Sequence, residues 1–445
     1  MNSQIDLLHG SLPVGILKFA FPLAATGILQ QLFNAADIAV VGRFVGKEAM
    51  AAVGSNGALI NLLINLLMGI AMGTTVVVAT AIGKGDEQTV HRAVHTSVII
   101  SVIGGIVLAV IDELLAVPML RLISVPPEVI GLASKYLRIY FAGLPLIVLY
   151  NFEAAVFRSC GDTKTPLTAL SISGVLNVAL NLFFVLRLGM DVDGVAWATV
   201  ISNGLSAVYL FIALVRTDAV IRFRKEDLHI DRTLLRRILR IGIPTGIQGM
   251  VFSISNIILQ AAINSLGTVY IAGSAAALNV EILNYFLFNS FGQACSTFVS
   301  QNNGAGSYER CHKTLFWCFA LSILFTGTSS ALIIIFGRDI LAFFNADPEV
   351  ISAGYVRVKI LSSTFLCSIM HELMSGYMRG YGVTHLPAAC AVFGICGARI
   401  IWVSTVFRRW HTFSVLMTVY PVTLGLTGTA VAVAAYFYEK RRGLI

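Results

Sequence analysis

The sequence contains twelve apolar blocks that are each long enough to cross a lipid bilayer, and these blocks restrict the possible folds more than any other feature. A helix needs about 20 apolar residues to cross the hydrocarbon core. Only helices and closed barrels satisfy their backbone hydrogen bonds in lipid, and the blocks lack the alternating polarity of barrel strands. We therefore predict an all-α polytopic membrane protein with twelve transmembrane helices. The blocks lie at residues 14–41, 49–79, 91–115, 129–157, 165–187, 193–216, 235–263, 269–301, 312–337, 349–378, 386–407 and 412–438.

Composition and charge agree with this class of protein. Apolar residues make up 57% of the chain and charged residues 12%, against about 25% charged residues in soluble domains. The net charge of +8 could suggest a nucleic-acid partner, but most Lys and Arg residues lie in the loops on the side of the two termini. Cytoplasmic loops carry such an excess. We expect a multi-pass protein of a bacterial plasma membrane, surrounded by lipids, with both termini in the cytoplasm and no nucleic-acid partner.

Two sequence segments recur in the second half of the chain. VPPEVI at 125–130 returns as ADPEVI at 346–351, and FRSCGDTKTP at 157–166 returns as MRGYGVTHLP at 378–387, with the same separation along the chain in both cases. Because each half holds six spans, an even number, both halves insert in the same orientation. The sequence therefore predicts a parallel repeat, related by an axis along the membrane normal.

The repeat predicts both the domain organisation and a class of function. We expect a six-helix lobe at 1–216, a basic cytoplasmic linker at 217–234 and a second six-helix lobe at 235–445, with Asp231 as the cap of the helix after the linker. Two such lobes that rock about their interface would give alternating access to a cavity. A membrane protein of this kind without soluble domains is most simply a transporter.

The first span, Phe21 to Gly42, carries a charged residue in an apolar helix. A carboxylate at Asp37 that faced lipid would cost several kcal/mol, so it should face protein or a water-filled cavity. It is a functional candidate, although a packing role against a neighbouring helix is the alternative. Pro22 is expected to bend this helix, which makes it a candidate hinge. The helical face of Asp37 also carries Thr26, Gln30, Phe33 and Asn34.

The sequence resembles the multidrug and toxic compound extrusion (MATE) transporters over essentially its whole length. The resemblance is carried by FPL…N-x-x-D-x-x-x-V-G-R in the first span, FRSCGDTKTP after the fourth, N-x-x-x-N in the fifth, GVAWAT in the sixth and MRGYGVTHLP after the tenth. It implies twelve helices in two lobes, V-shaped around a central cavity. It also implies export of small amphipathic, often cationic, organic compounds, coupled to H⁺ or Na⁺ and without another cofactor. We expect a monomer.

The cation site of the family can be transferred to positions of this chain. The resemblance places it at Asp37, Asn177, Asn181 and Thr199, where Asn181 is an amide at a position that is acidic in the family. One carboxylate with amide and hydroxyl oxygens could hold Na⁺, or the carboxyl group could take up a proton, which burial favours. The alternative is a hydrogen-bonded cluster between helices that binds no ion.

The second half carries a different set of candidates. Glu281 in the eighth span lies near aromatic residues in sequence, and an acid beside aromatic rings suits an amphipathic cation. The alternative is a buried ion pair between Glu281 and Arg399 of the eleventh span. The candidate residues of the substrate cavity are Gln30, Phe33, Asn34, Glu281, Asn284, Tyr285, Phe288 and Arg399.

Two other functions are compatible with a polytopic chain. A flippase for lipid-linked precursors would share the architecture but would need a strongly cationic cavity and additional spans, whereas only Arg399 stands out as a cation in mid-span. An integral-membrane enzyme would need paired catalytic groups near one membrane face. The sequence lacks HExxH, GxSxG and phosphate-loop motifs, so we do not expect an enzyme.

Overall fold

A computed structural model describes residues 4–123, 125–224 and 228–443 of the chain. All regular elements within these ranges are helices. In chain order they are α1 Leu12–Phe44, α2 Lys47–Gly83, α3 Glu87–Leu122, α4 Pro127–Ala142, α5 Leu144–Ser159, α6 Lys164–Leu186, α7 Val192–Arg216, α8 Arg232–Asn264, α9 Thr268–Gly304, α10 Tyr308–Phe344, α11 Pro348–Ser363, α12 Phe365–Gly380, α13 His385–Ala391, α14 Ala398–Trp402, α15 Phe413–Met417 and α16 Val419–Arg442, with π-helical segments at Val392–Gly397 and Val403–Phe407.

The number of membrane spans agrees with the sequence. Ten helical segments of the described chain are long and apolar enough to cross a bilayer, and the number rises to twelve when two bent helix pairs are each counted as one span. The bent pairs are α4 with α5 and α11 with α12, which form the fourth and tenth spans. The prediction of an all-α polytopic fold with twelve spans is confirmed.

The fourth and tenth spans differ from the uninterrupted helices that the sequence suggested. The first pair bends by 50° at Gly143 and the second by 51° at Thr364. Pro145, in the first turn of α5, has no backbone N–H to continue the hydrogen-bond ladder of α4. At the second bend, the Thr364 hydroxyl donates to the Ile360 carbonyl at 2.7 Å, which competes with the backbone bond there. The two bends fall at equivalent positions of the sequence repeat.

The helices repeat the duplication that the sequence motifs indicated. Helices α2 and α9 are each 37 residues long, and they begin at equivalent positions of the repeat, Lys47 and Thr268. Each follows a glycine with positive φ, Gly46 at 140° and Gly267 at 106°, which is a backbone conformation that side chains with a Cβ rarely adopt. The two-lobe parallel repeat is therefore present in the helices as well as in the motifs.

The residues group into two compact units. One unit contains Ala25–Gly242 together with the described residues before Asp6, and the other contains Asp6–Ala24 together with the chain from Ile243 onward. The division within α1 falls just after Pro22, whereas the sequence placed all of α1 in the first lobe. The limits of the two lobes stay a prediction.

The segment before α8 is fixed to the first unit by polar contacts. Asp231 caps α8, because its Oδ1 accepts hydrogen bonds from the backbone N–H groups of Thr233 and Leu234 at 2.9 and 3.1 Å. This confirms the predicted cap. The His95 ring contacts the backbone of Arg224 and stacks on Phe223. Residues 225–227 of the predicted linker lie outside the described residues.

Candidate functional site

Three helices of the first unit bring the predicted cation-site residues together. Asp37 lies on α1, Asn177 and Asn181 lie one turn apart on α6, and Thr199 lies on α7, which packs along α6. Asp37 is 5% exposed and Asn181 is fully buried. A carboxylate at this depth needs polar partners, since burying an isolated charge costs far more than burying a hydrogen-bonded one.

The side chains form one hydrogen-bonded cluster, which we call the Asp37 cluster (Asp37, Asn177, Asn181 and Thr199). Asn181 Nδ2 donates to Asp37 Oδ1 and lies 3.3 Å from Asn177 Oδ1. Thr199 Oγ1 lies 3.1 Å from Asp37 Oδ2 and 3.0 Å from the Val195 carbonyl oxygen. Asn177 Nδ2 donates to Thr199 Oγ1 at 3.4 Å. Both oxygens of the only acid in the cluster are therefore engaged by neutral groups.

Two tyrosines of α4 extend the cluster and were not found from the sequence. Tyr136 and Tyr140 are buried, and their rings stack with centroids 6.4 Å apart. Both tyrosines lie within range of an electrostatic interaction with the Asp37 carboxylate. The Tyr136 hydroxyl also interacts with Thr199. The available signal was a pair of tyrosines one helical turn apart in a predicted span, because such residues share a helical face.

The donor set determines which cations the cluster could bind. Carboxylate, amide and hydroxyl oxygens suit hard cations, and Asn181 Oδ1 is buried without a hydrogen-bond partner. Asn181 currently directs its nitrogen at Asp37, so a metal ion would require the amide to turn over. Among the described residues, no group of three or more His, Cys, Asp or Glu side chains is arranged to hold a metal ion. The groups thus fit a proton as they stand, and Na⁺ after rotation of one amide.

The remaining candidates of the first span share one face of α1 but differ in exposure. Asn34 is exposed and Gln30 is partly buried, whereas Phe33 is inserted beside Gly174 of α6. A Cβ atom added to Gly174 would lie only 1.8 Å from the Phe33 ring, so the glycine is needed for this approach. Pro22 lies within α1, which continues as one helix on both sides of it.

Glu281 has a different partner from the one that the sequence suggested. Arg357 of α11 binds it in a bidentate ion pair, with Nε–Oε1 at 2.9 Å and Nη2–Oε2 at 3.0 Å. The expected pair with Arg399 is therefore wrong, because α9 packs along α11 and places the tenth span, not the eleventh, beside Glu281. The expectation that Arg399 is the only mid-span cation of note is wrong as well, since Arg357 is 3% exposed.

The other candidates of α9 point in different directions. Asn284 is buried and donates to Ser330 Oγ of α10 at 3.0 Å. Tyr285 is 46% exposed and contacts the Phe288 ring edge to face, with centroids 5.6 Å apart. The buried Asn284 therefore has a different environment from Tyr285, which is exposed, and Phe288, which is partly buried.

The fold and this site define a polytopic helical membrane protein that is built from two parallel six-span repeats and buries a carboxylate cluster in the first of them. A family model described as MatE matches residues 22–183 and again residues 244–403. The chain belongs to the MATE family.

Similar proteins cover most of the chain. It is 30% identical over 391 residues to "Probable multidrug resistance protein YoeA" of Bacillus subtilis (strain 168), which covers 86% of this chain and 84% of that protein. It is 28% identical over 396 residues to "Probable multidrug resistance protein NorM" of Thermotoga maritima, with 86% and 83% covered. A crystal structure of MATE in the bent conformation superposes with a TM-score of 0.90 at 21% identity, covering 100% of this chain and 98% of that chain, and so supports the fold.

Proposed function

We propose that the protein is a cation-coupled antiporter that exports amphipathic, often cationic, organic compounds by alternating access. The Asp37 cluster is the observation that carries this proposal, because an intramembrane acid held by neutral groups can accept a cation reversibly. The names of the relatives from Bacillus subtilis and Thermotoga maritima, both probable multidrug resistance proteins, support export as the direction and organic compounds as the cargo.

The environment of Asp37 favours exchange of a cation over a structural role. Within the described residues, no Lys, Arg or His forms an ion pair with this carboxylate. A buried charge without a counter-charge is costly, so an incoming cation has a free-energy advantage there. In this proposal Asp37 takes the cation, while Asn177, Asn181 and Thr199 position the carboxyl group and contribute oxygen atoms.

We infer that H⁺ is the coupling ion, with Na⁺ as the alternative. A proton needs a single oxygen of Asp37 and one acceptor, and Thr199 Oγ1 lies 3.1 Å away. Sodium would need several oxygens at once, whereas the Asn181 nitrogen now faces the carboxylate. Having an amide at position 181 also leaves the cluster with one negative charge in place of two.

Cation binding would act on the helix that carries Asp37. Neutralising the carboxyl group weakens its hold on the amide and hydroxyl donors of α6 and α7, since hydrogen bonds to a charged group are stronger than neutral ones. The first span could then bend at Pro22, where the backbone ladder already lacks one donor. The division of α1 between Ala24 and Ala25 supports a hinge at this point.

Substrate contacts are proposed in each unit separately. In the first unit they are Gln30, Phe33 and Asn34 of α1, and in the second they are the exposed Tyr285 and the partly buried Phe288. Amphipathic compounds bind where aromatic area and a few polar groups meet. Both oxygens of the Glu281 carboxylate are engaged by an arginine, which weakens its candidacy as a contact for a cationic substrate.

The setting of the protein completes the proposal. We propose a monomer in a bacterial plasma membrane, with both termini in the cytoplasm and lipid around the spans. The excess of Lys and Arg in the loops on the side of the termini supports this orientation. We propose transport as the activity, without an enzymatic reaction.

The substitution Asp37→Asn tests the proposal. The purified chain is reconstituted in proteoliposomes, and efflux of an amphipathic fluorescent dye is followed under an imposed pH gradient and, separately, under an imposed Na⁺ gradient. We expect Asp37→Asn to reduce gradient-driven transport at least about a hundredfold, because the amide cannot take up a proton or neutralise a metal ion. Wild-type transport under the pH gradient alone would assign H⁺.

Asp112→Asn is the matched control, because it makes the same chemical change at a buried Asp of α3 outside the cluster. It should transport like the wild type. Full transport by Asp37→Asn would refute the proposal. Movement of a lipid-linked precursor, but not of the dye, would favour the flippase.

A further inference from the structure

The second unit holds two buried arginines with polar and aromatic partners, a group that we call the Arg399 cluster (Asn256, Glu281, Arg357, Arg399 and Tyr420). Both guanidinium groups lie over the Tyr420 ring, with Arg357 Cζ 5.6 Å and Arg399 Cζ 4.6 Å from its centroid. Glu281 is the only acid of the cluster. The cluster therefore contains two positive charges and one negative charge.

Arg399 is the member of the cluster without a counter-charge. Its side chain is 1% exposed, its Nη1 donates to Asn256 Oδ1 at 3.1 Å, and its Nε is buried without a hydrogen-bond partner. Among the described residues of this unit, no acid forms an ion pair with Arg399, and the carboxylates of Glu281 and Glu439 are paired with Arg357 and His312. A buried cation with an unused donor and no anion is a costly arrangement that an anionic ligand would relieve.

Asn256, the hydrogen-bond partner of Arg399, lies on a polar and partly exposed face of α8. Asn256 is exposed, and Ser253 and Gln260 lie on the same helical face about one turn before and after it. Polar side chains inside a membrane span are expected to face water or protein rather than lipid. A ligand could therefore reach Arg399 by displacing one exposed amide.

The helix that carries Arg399 is irregular on both sides of it. The short helix α14 lies between π-helical segments at Val392–Gly397 and Val403–Phe407. Segments of π-helix inside α-helices are frequent at functional sites.

The internal repeat gives a separate reason to regard this cluster as a site. In the register that aligns VPPEVI with ADPEVI, two of the four positions of the Asp37 cluster, and that of the neighbouring Tyr136, correspond to positions in or next to the Arg399 cluster. The equivalent pairs are Thr199 and Tyr420, Tyr136 and Arg357, and Asn177 and Ala398, which directly precedes Arg399. The Arg399 cluster thus partly overlaps, in the second repeat, the place of the Asp37 cluster in the first, and its net charge has the opposite sign.

We propose that Arg399, together with Asn256, binds the anionic group of the transported amphiphile, so that the preferred substrates carry a carboxylate or sulfonate and include zwitterions. This inference rests on the proposed export function and narrows its substrate class. A guanidinium offers parallel N–H donors that match the two oxygens of a carboxylate, and the Arg399 Nε is available for one of them. The Tyr420 ring contacts the same guanidinium through a cation–π interaction.

A pair of fluorescent probes that differ in one group tests the proposal. The probes are an amphipathic rhodamine with a free carboxylate and the methyl ester of the same dye, and their binding to the purified full chain in neutral detergent is followed by fluorescence polarisation. The wild type should bind the carboxylate form at least about tenfold more tightly than the ester, which is the change expected for one hydrogen-bonded charge contact.

Two variants remove the site in different ways. Arg399→Gln deletes the charge and should abolish the preference for the carboxylate probe while leaving ester binding unchanged. Asn256→Asp places a fixed acid beside Arg399, so it should abolish the same preference and also raise the melting temperature. The second variant keeps the test valid where Arg399→Gln fails to fold. Arg408→Gln, at an exposed arginine, is the matched control and should keep the wild-type preference.

The outcomes separate this proposal from the export function. Asp37→Asn should retain the carboxylate preference in binding even where it abolishes transport, so loss of transport alone leaves the substrate class standing. Equal wild-type affinity for the two probes would overturn the proposal, as would a preference that survives both variants. Phosphatidylglycerol that occupies this site and is not displaced by the carboxylate probe would also overturn the proposal, because the site would then bind a lipid headgroup.

Discussion

The two halves of the molecule have similar helices at equivalent positions of the repeat, but their buried side chains carry different charges. The fourth and tenth spans bend at equivalent positions, and α2 and α9 have the same length. The charges differ at other equivalent positions. In the first half, Thr199 and Tyr136 lie next to an acid. In the second half, their counterparts Tyr420 and Arg357 belong to a group with an excess of arginine. The two halves have thus kept similar spans while their interiors carry different charges, which is what the proposals of a cation site in one half and an anion site in the other require.

Packing differs between the halves at another pair of equivalent positions. Phe33 of α1 fills the space above Gly174 of α6. Ser255 corresponds to Phe33 when the prolines of α1 and α8 are aligned, Ile395 corresponds to Gly174 in the register of the repeated motifs, and both are buried. The large and small residues have exchanged places, as expected where total volume must be conserved in a close-packed interior.

The largest effect on stability is expected from breaking the ion pair of the second half. Glu281→Gln leaves Arg357 buried without its counter-charge, and removing one partner of a buried pair costs about 3–5 kcal/mol. We expect a clear drop in melting temperature in detergent, measured by intrinsic fluorescence. Glu349→Gln, at an exposed position of α11, is the control and should leave the melting temperature unchanged. A stable Glu281→Gln variant would show that Arg357 is compensated by another group.

An intermediate loss of stability is expected from overpacking the contact between Gly174 and Phe33. Gly174→Ala places a methyl group against the Phe33 ring and should cost about 1–3 kcal/mol by overpacking. The same substitution in a Phe33→Ala background should cost much less, because the ring is gone. Equal losses in the two backgrounds would contradict the contact, and a double-mutant cycle on melting temperatures measures the difference.

The smallest effect is expected at an exposed helix cap that only the first half has. Asp86 accepts a hydrogen bond from the Thr89 backbone at 3.0 Å, whereas Ser307, its counterpart in the second repeat, makes no side-chain cap bond. Asp86→Ala should therefore lower the melting temperature slightly, and Ser307→Ala should not. An equal response of the two variants would contradict this difference between the halves.

This cap also predicts a dependence on pH. The hydrogen bonds from Thr89 lower the pKa of Asp86 below its usual 3.8. The stabilisation is therefore complete above that value and is lost as the pH falls through the lower pKa of the folded state. The difference in melting temperature between the wild type and Asp86→Ala should vanish in acid, and a difference that persists there would exclude the ionised carboxylate as its cause.

Hydropathy predicted the spans, motif spacing predicted the repeat, and the charge in an apolar helix singled out Asp37. The other residues of the Asp37 cluster were predicted only through the resemblance to the MATE transporters. The sequence did not show the partner of Glu281, since periodicity shows which residues share a face but not which helix packs against that face. Tyr136 was missed for the same reason, because it reaches Thr199 across a helix contact. The bend at Thr364 has no proline to mark it in the sequence.

Proton release on substrate binding is the most direct test of the claim that Asp37 exchanges a cation for substrate. Dye is added to the purified protein in weakly buffered detergent solution, and the pH is followed with an indicator, with and without Na⁺. The proposal predicts that the wild type releases about one proton for each dye bound, that Na⁺ does not change this number, and that Asp37→Asn binds dye without releasing protons. Equal proton release by the wild type and Asp37→Asn would contradict it.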